Sequence, residues 1–300
     1  MIRIGVDLGG TKIEAAGVDR AGNFISRVRS PTPQVYEEAL ATIARLVAEA
    51  QRLAGVSEAS VGVGMPGSLS PRTGLLRNAN STWLAERPFR EDLERVLGRP
   101  IRVQNDANCF VLSEAIGGAG DGARVVFGAI LGTGCGGGLC VDQQPVEGHN
   151  RIAGEWGHSP LPWPTRRERG AHTCWCGRID CLETWVSGSA FCADYSQRTG
   201  LRLSGDQIME RGRGGETGAI AAFEAYVDRL GRALTVICDI LDPDVIVLGG
   251  GMSNVSELYE RLPPVIGRHV FSDVFTTPVV RAMHGDSSGV RGAAWLWPLP

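Results

Sequence analysis

Ile4-Gly5-Val6-Asp7-Leu8-Gly9-Gly10-Thr11-Lys12 reads as an apolar strand ending in a turn of glycine and small polar residues, and Phe127-Gly128-Ala129-Ile130-Leu131-Gly132-Thr133-Gly134-Cys135 repeats it. Aligning Gly5 with Gly128, an offset of 123 residues, also brings Leu8 onto Leu131, Gly9 onto Gly132, Val18 onto Val141 and Asp19 onto Asp142. Internal duplication is the simplest source of such a pattern. Each copy runs on into a second strand, Ile13 to Val18 and Gly138 to Val141, which makes each a β-hairpin whose tip exposes backbone N–H groups. Such groups bind phosphate oxygens, and glycine lets the backbone approach a ligand with no Cβ in the way. The spacing is neither that of a Walker loop nor that of the dinucleotide fingerprint. A single copy is equally well explained as a hairpin using glycine for its own geometry. Two copies favour a pair of turns that hold one polyphosphate. Asp7 in the first copy corresponds to Ile130 in the second, so only one turn carries a carboxylate. Phosphate would repel that carboxylate unless a cation lay between them, which makes Asp7 a candidate for orienting hydrated Mg²⁺. Lys12 would offset phosphate charge.

The 300 residues exceed what one core usually organises, so two domains are expected. A formal charge of −3, from 30 Lys+Arg and 33 Asp+Glu, provides no basic field for nucleic acid. A small neutral or anionic substrate fits better. A strand begins at Ile2 with no basic or long apolar leader, and no later segment is apolar enough to cross a bilayer, so the expectation is a cytoplasmic protein without membrane partners. In that compartment the eight cysteines point to reduced thiols or metal ligation rather than disulfides.

Between the two turns, Phe24 to Arg29 reads as a third strand, and Val35 to Leu53 has helical spacing through Tyr36, Leu40, Ile43, Val47 and Ala50. Strands at Ala59 to Val63 and Ile101 to Gln104 end in Gly64-Met65-Pro66-Gly67 and Asn105-Asp106-Ala107-Asn108, the latter followed by a helix to Ala115. Ligands collect at the carboxyl ends of strands in α/β sheets, so these two ends are expected close together beside a cleft between domains. Taken alone, Asn105-Asp106 reads first as a helix cap. The glycine-rich run 117–122 is the candidate hinge, dividing a small α/β domain, 1–118, from a large one, 119–288. In the second half a helix from Gly218 to Leu241 precedes the strand Val245 to Leu248 and Gly249-Gly250-Gly251, which leave room for a flat ring. A short apolar helix within 289–297 is able to fold back across the first domain.

The chain resembles the ROK family of bacterial sugar kinases within the actin-like ATPase superfamily. The resemblance rests on Asp7 through Lys12, Pro66-Gly67-Ser68, Asn78 through Leu84, Asn105 through Cys109, Gly132 through Gly136, Gly154-Glu155-Trp156-Gly157-His158 and Leu241 through Ser253. It implies a two-domain α/β fold of the actin-like, ribonuclease H-like type, and transfer of phosphate from ATP with Mg²⁺ to a hexose. Asp106 is then the general base. Gly67, Asn80, Asn105, Asp106, Glu155, His158 and Glu183 line the sugar pocket, and Trp83 lies near enough to Asn80 to be a wall of it. Asp7, Gly9, Gly10, Thr11, Lys12, Gly132, Thr133, Gly134, Cys135, Gly136, Gly249, Gly250 and Gly251 hold ATP. Phosphoryl transfer depends mostly on positioning and charge neutralisation, so one well-placed carboxylate suffices.

His158, sixteen residues before Cys174, combines with Cys174, Cys176 and Cys181 into one imidazole and three thiolates, a closed shell for a structural Zn²⁺. Buried reduced cysteines without metal are the alternative. Asp180 stands where the family usually has glycine, which puts the turn before Cys181 and the zinc affinity in question. The segment Ser159 to Trp163 and the tail His284 to Pro298 resemble the family's fructokinases, so fructose is the expected hexose, with N-acetylglucosamine or glucose as alternatives. A non-catalytic sugar sensor of the same fold is the alternative of another class, and a DNA-binding regulator is disfavoured by a phosphate turn that begins at residue 4. The family resemblance also implies a homodimer.

Overall fold

Ile4, Val6 and Leu8 are all but fully buried, as expected of a central strand covered on both faces. The computed structural model describes residues 1–79 and 81–297, Asp286 through its backbone alone. The chain forms β1 (Arg3–Leu8), β2 (Lys12–Val18), β3 (Phe24–Pro31), α1 (Tyr36–Leu53), β4 (Val61–Met65), β5 (Ser68–Leu69), β6 (Leu76–Arg77), α2 (Phe89–Leu97), β7 (Ile101–Asn105) and α3 (Asp106–Ala115). β1 and β2 are antiparallel, with Asp7 opposite Glu14 and Leu8 opposite Ile13, and β3 continues the meander. β4 and β7 add in parallel on the other side to give the order β3-β2-β1-β4-β7. α1 buries Tyr36, Leu40, Ile43, Val47 and Ala50, the apolar stripe seen in the sequence. β4 begins two residues later than its apolar run suggested and extends to Met65, because pairing with β7 carries it to Asn105.

The second half forms β8 (Val125–Leu131), β9 (Cys135–Val141), β10 (Gln144–Pro145), α4 (Glu183–Val186), α5 (Gly188–Thr199), α6 (Gly205–Arg213), α7 (Thr217–Leu241), β11 (Val245–Gly249), α8 (Glu257–Gly267), β12 (Val279–Arg281) and α9 (Ser288–Trp295). Its sheet has the order β10-β9-β8-β11-β12, with β8, β11 and β12 parallel. A three-stranded meander followed by two parallel strands therefore occurs twice, as a duplicated sequence would produce.

Two compact units result. One comprises Met1–Gly122, Gly138–Ala153 and the described residues from His284 onward, and the other comprises Ala123–Gly137 and Gly154–Met283. This differs from the division expected at 118/119, since 119–122 and 138–153 go with the first unit. Local packing accounts for the second segment: a Cβ at Gly138 would lie 2.6 Å from the Ala107 carbonyl oxygen, so the strand backbone rests directly on α3. The proposed hinge is itself fastened. Gly117 N–H donates to Asp121, while Ala119 and Gly120 donate to the Glu114 carboxylate and carbonyl.

α9 lies in the first unit and ends at Trp295, two residues short of the expected 297. It meets β1 and α3 backbone to backbone. A Cβ at Gly5 would fall 1.9 Å from the Val290 carbonyl oxygen, and one at Gly292 would fall 1.7 Å from that of Cys109. Buried Arg291 donates to the Ser113 carbonyl at 2.6 Å, and Ser288 Oγ donates to Glu114 at 2.8 Å. The Gly5→Ala variant must displace α9, and its unfolding free energy is expected to fall by about 3 kcal/mol, the upper part of the usual overpacking range. Urea denaturation measures this, and an unchanged midpoint would show that α9 yields freely.

Candidate active site

In the first unit the ends of β1, β4 and β7 stand side by side, with Asp7 in register with Gly64 and Met65 with Asn105. The first glycine turn is closed by Gly9 N–H donating to the Lys12 carbonyl at 3.0 Å, and Thr32 Oγ1 donates to the Gly9 carbonyl at 2.7 Å. Gly10 and Thr11 are exposed at its tip. Lys12 Nζ lies 3.9 Å from the buried Glu14 carboxylate, which also pairs with Arg27. Glu14 was not anticipated from the sequence, although the hairpin register places it opposite Asp7.

Asp7 is largely enclosed. Burial first, then the Asp106 charge and Glu14, push its carboxyl up to about 7, with Lys12 opposing. Two acids from separate strand ends therefore sense each other, and a divalent cation beside Asp7 would relieve that repulsion. Asp106 opens α3, is exposed, and accepts its neighbour Ala107 N–H on Oδ1 at 2.9 Å.

Asn105 fulfils the cap reading. Its Oδ1 accepts from Ala107 N–H at 2.9 Å and Asn108 N–H at 3.3 Å, while its Nδ2 donates to the Gly67 carbonyl at 3.1 Å. The amide thus joins the Gly67 loop to the start of α3. Behind it, Gln104 Oε1 accepts from Asn105 N–H at 2.8 Å and Asn108 Nδ2 at 3.1 Å, and Gln104 Nε2 donates to Glu147 at 2.9 Å. Gln104, Asn108 and Glu147 support this corner; Asn108 belongs to the Asn105-to-Cys109 motif but was given no role there, and no motif contained Gln104 or Glu147. Asn80 lies outside the described residues, and Trp83 packs against the first unit's core.

The second unit gathers another set. Gly132 N–H donates to the Gly134 carbonyl at 3.1 Å, and Gly188 N–H donates to that of Gly132 at 2.7 Å, while Thr133 is exposed. Glu183, at the start of α4, accepts Cys135 N–H on Oε2 at 3.0 Å and the Trp175 indole N–H on Oε1 at 2.6 Å. A Cβ at Gly134 would lie 2.5 Å from Glu183 Oε2, so this glycine admits the carboxylate. Trp156 anchors the Gly154–His158 segment by donating its indole N–H to the Gly136 carbonyl at 2.8 Å, which holds Glu155 and His158 beside the turn. Of Gly249-Gly250-Gly251, the first of which ends β11, Gly250 (φ 77°) is required by packing, since a Cβ there would meet the Leu131 backbone at 2.6 Å. Gly251 faces open space.

His158, Cys174, Cys176 and Cys181 offer ligand atoms within 4.8 Å of one another. Cys174 Sγ is 3.7 Å from His158 Nδ1, and Cys176 Sγ is 3.6 Å from Cys181 Sγ. A tetrahedron with metal–sulfur bonds of about 2.3 Å has edges of about 3.8 Å, so these separations suit one small ion. Burial and the neighbouring thiols push Cys181 up to about 12, a resistance to ionisation that a cation would reverse. Asp180 takes the left-handed conformation, φ 57°, that glycine would adopt without strain. Its carboxylate accepts N–H groups from Gly170, Ala171 and His172, which offsets that strain and ties the preceding loop down.

This architecture is an actin-like ATPase fold of the ribonuclease H-like type, with two exposed glycine turns and strand-end carboxylates. The ROK family matches residues 3–299, and the chain belongs to that family. It is 40% identical to the N-acetyl-D-glucosamine kinase of Pectobacterium atrosepticum over 97% of each chain, and 38% identical to that of Pasteurella multocida over 99% of each. The ROK hexokinase of Thermus thermophilus superposes with a TM-score of 0.87 at 31% identity, covering 98% of this chain and 97% of that one. A ROK family glucokinase from Streptomyces griseus, solved in complex with glucose and AMPPNP, gives 0.81 at 28% identity over 99% of each chain. Among the described residues, no helix is long and apolar enough to cross a membrane.

Proposed function

We propose that the protein transfers the γ-phosphoryl group of ATP to a hydroxyl of a hexose, with N-acetylglucosamine ahead of fructose as substrate. The observation that supports the reaction best is the corner formed by Asn105, Asp106 and Gly67 beside the enclosed Asp7. Asp106 is exposed, acidic and fixed at a helix start, where it accepts the hydroxyl proton as the oxygen–phosphorus bond forms. Asn105 has committed its oxygen to the cap, so it meets the sugar only as a donor, through the Nδ2 proton not given to Gly67. Asp7 would hold hydrated Mg²⁺, which supplies charge neutralisation for the phosphates. Within the first unit, the exposed backbone of Gly10 and Thr11, with Lys12, would provide further phosphate contacts. The second unit, taken by itself, offers the exposed Thr133 backbone for phosphate and the polar groups of Glu155, His158 and Glu183 for a sugar.

The fructose expectation rested on Ser159–Trp163 and the tail, and both have other uses in the structure. The Pro162 and Trp163 carbonyls accept from buried Arg232, Trp163 stacks on His269, and the tail packs on α3 and β1. Segments occupied with packing carry little information about a sugar. End-to-end identity to N-acetylglucosamine kinases therefore weighs more. ADP release measured with N-acetylglucosamine, fructose, mannose and glucose tests the reading. A higher kcat/KM for fructose restores the first expectation, and no sugar-dependent turnover removes the kinase.

We assign the His158–Cys181 cluster to a structural zinc ion, because thiolate-rich tetrahedral sites with four protein ligands leave no open position for chemistry. The parent protein is expected to purify with about one metal ion per chain, and Cys176→Ser to purify without it and to lose several kcal/mol of stability. Elemental analysis with thermal unfolding checks this. A parent protein free of metal would sink the assignment.

A further inference from the structure

Glu183 has both carboxylate oxygens held, by donors from different parts of the second unit. Cys135 N–H of the glycine turn donates to Oε2, and the Trp175 indole N–H donates to Oε1. Trp175 sits between Cys174 and Cys176 and is 57% exposed, so burial does not hold it in place. Two contacts do: the 2.6 Å bond to Glu183, and an edge-on approach to the His158 ring at 5.1 Å and 81°. A hydrogen bond to a charged carboxylate is about twice as strong as a neutral one. Gly134 adds the fit, since any Cβ there would strike Glu183 Oε2. Contacts thus run unbroken from the thiol-rich loop through Trp175 and Glu183 to the Cys135 amide.

We propose that Trp175 is a positioning residue whose indole N–H orients the Glu183 carboxylate and, through it, the Gly134-Cys135 backbone, so that the thiol-rich loop shapes the second glycine turn. With the donor gone, Glu183 keeps only the Cys135 bond and gains rotational freedom. The turn amide then loses a fixed acceptor. The structural consequence stands independently of the reaction, whereas the kinetic one rests on the phosphotransfer reading above.

Trp175→Phe retains the ring beside His158 and removes the N–H. In the full-length protein, amide hydrogen exchange of the 132–137 segment is expected to accelerate about tenfold, the scale of one hydrogen bond to a charged group, at unchanged metal content. Hexose KM is expected to rise about tenfold with kcat within about threefold. In a Glu183→Ala background, which has already lost the acceptor, the same substitution should change exchange by less than about twofold. A purely structural role for the indole would not give that dependence on Glu183. Unchanged exchange in Trp175→Phe overturns the proposal. Accelerated exchange accompanied by metal loss, or equal acceleration in both backgrounds, also overturns it. A wild-type protein without sugar-dependent turnover removes the phosphotransfer reading instead, and the exchange comparison then decides this proposal alone.

Discussion

Asp106→Asn is expected to lower kcat by about 10²–10⁴-fold, the usual range for a general base, with hexose KM within about threefold. Asparagine matches aspartate in size and keeps an oxygen able to accept Ala107 N–H, so the start of α3 should survive. What disappears is a group able to accept the hydroxyl proton. One acid is also lost from the first turn of a helix, a cost of about 0.3–1 kcal/mol. Against it stands relief of the repulsion that helps push Asp7 up, so the variant's net stability should change little. Steady-state ADP release and thermal unfolding separate the two effects. A loss below about tenfold, with the fold intact, would remove Asp106 from the role of base.

Asp7→Asn is expected to abolish ATP-dependent turnover and to make the protein more stable at pH 8. The folded-state carboxyl titrates at about 7, above its ordinary 3.8. In that window the native state holds a proton that the unfolded chain has released, so wild-type stability falls as pH rises from about 4 to about 7 and is flat above. A displacement of about three pH units corresponds to about 4 kcal/mol, and the carboxylate's remaining exposure reduces this to about 2 kcal/mol. Asparagine cannot ionise, so it escapes the loss. The gain should therefore be near zero below pH 4, grow through pH 4 to 7 and remain constant at pH 8. Urea unfolding of both proteins across that range measures it. Parallel pH profiles would show that Asp7 ionises in the folded protein as easily as in the unfolded chain. A gain in stability paired with a loss of activity is what an acid kept for function would produce.

The duplicated strand plan was legible in the sequence because apolar runs and glycine turns are local signals. Most expected elements came out within a residue or two, as with α1 from its Tyr36-to-Ala50 stripe, although β9 begins at Cys135, three residues before the expected Gly138. The thiol and imidazole cluster was legible for the same reason: three of its four ligands lie within eight residues, and only certain residue types bind such an ion. The roles of Gln104, Glu147 and Asn108, the last quoted only as part of a motif, were not legible. They arise from hydrogen bonds formed only once β7, α3 and the 138–153 segment are packed together. Trp175 escaped notice because its partner Glu183 becomes its neighbour only after the thiol-rich loop folds. The fructose expectation took its signal from segments engaged in packing, where residue type reflects neighbours in the fold and not a ligand.

By itself the sequence determined the α/β class and the two glycine turns, and it nominated a candidate base and four candidate metal donors, since these depend on residue type and short-range periodicity. Only the tertiary structure decided which segments share a compact unit, and which bare glycines serve close backbone approach, as Gly5, Gly250 and Gly292 do. It also decided that Asp7 carries a raised pKa and that Glu183 spans two loops. Close approach, burial and charge repulsion are distances between residues far apart in the chain, and they come into existence when the chain folds.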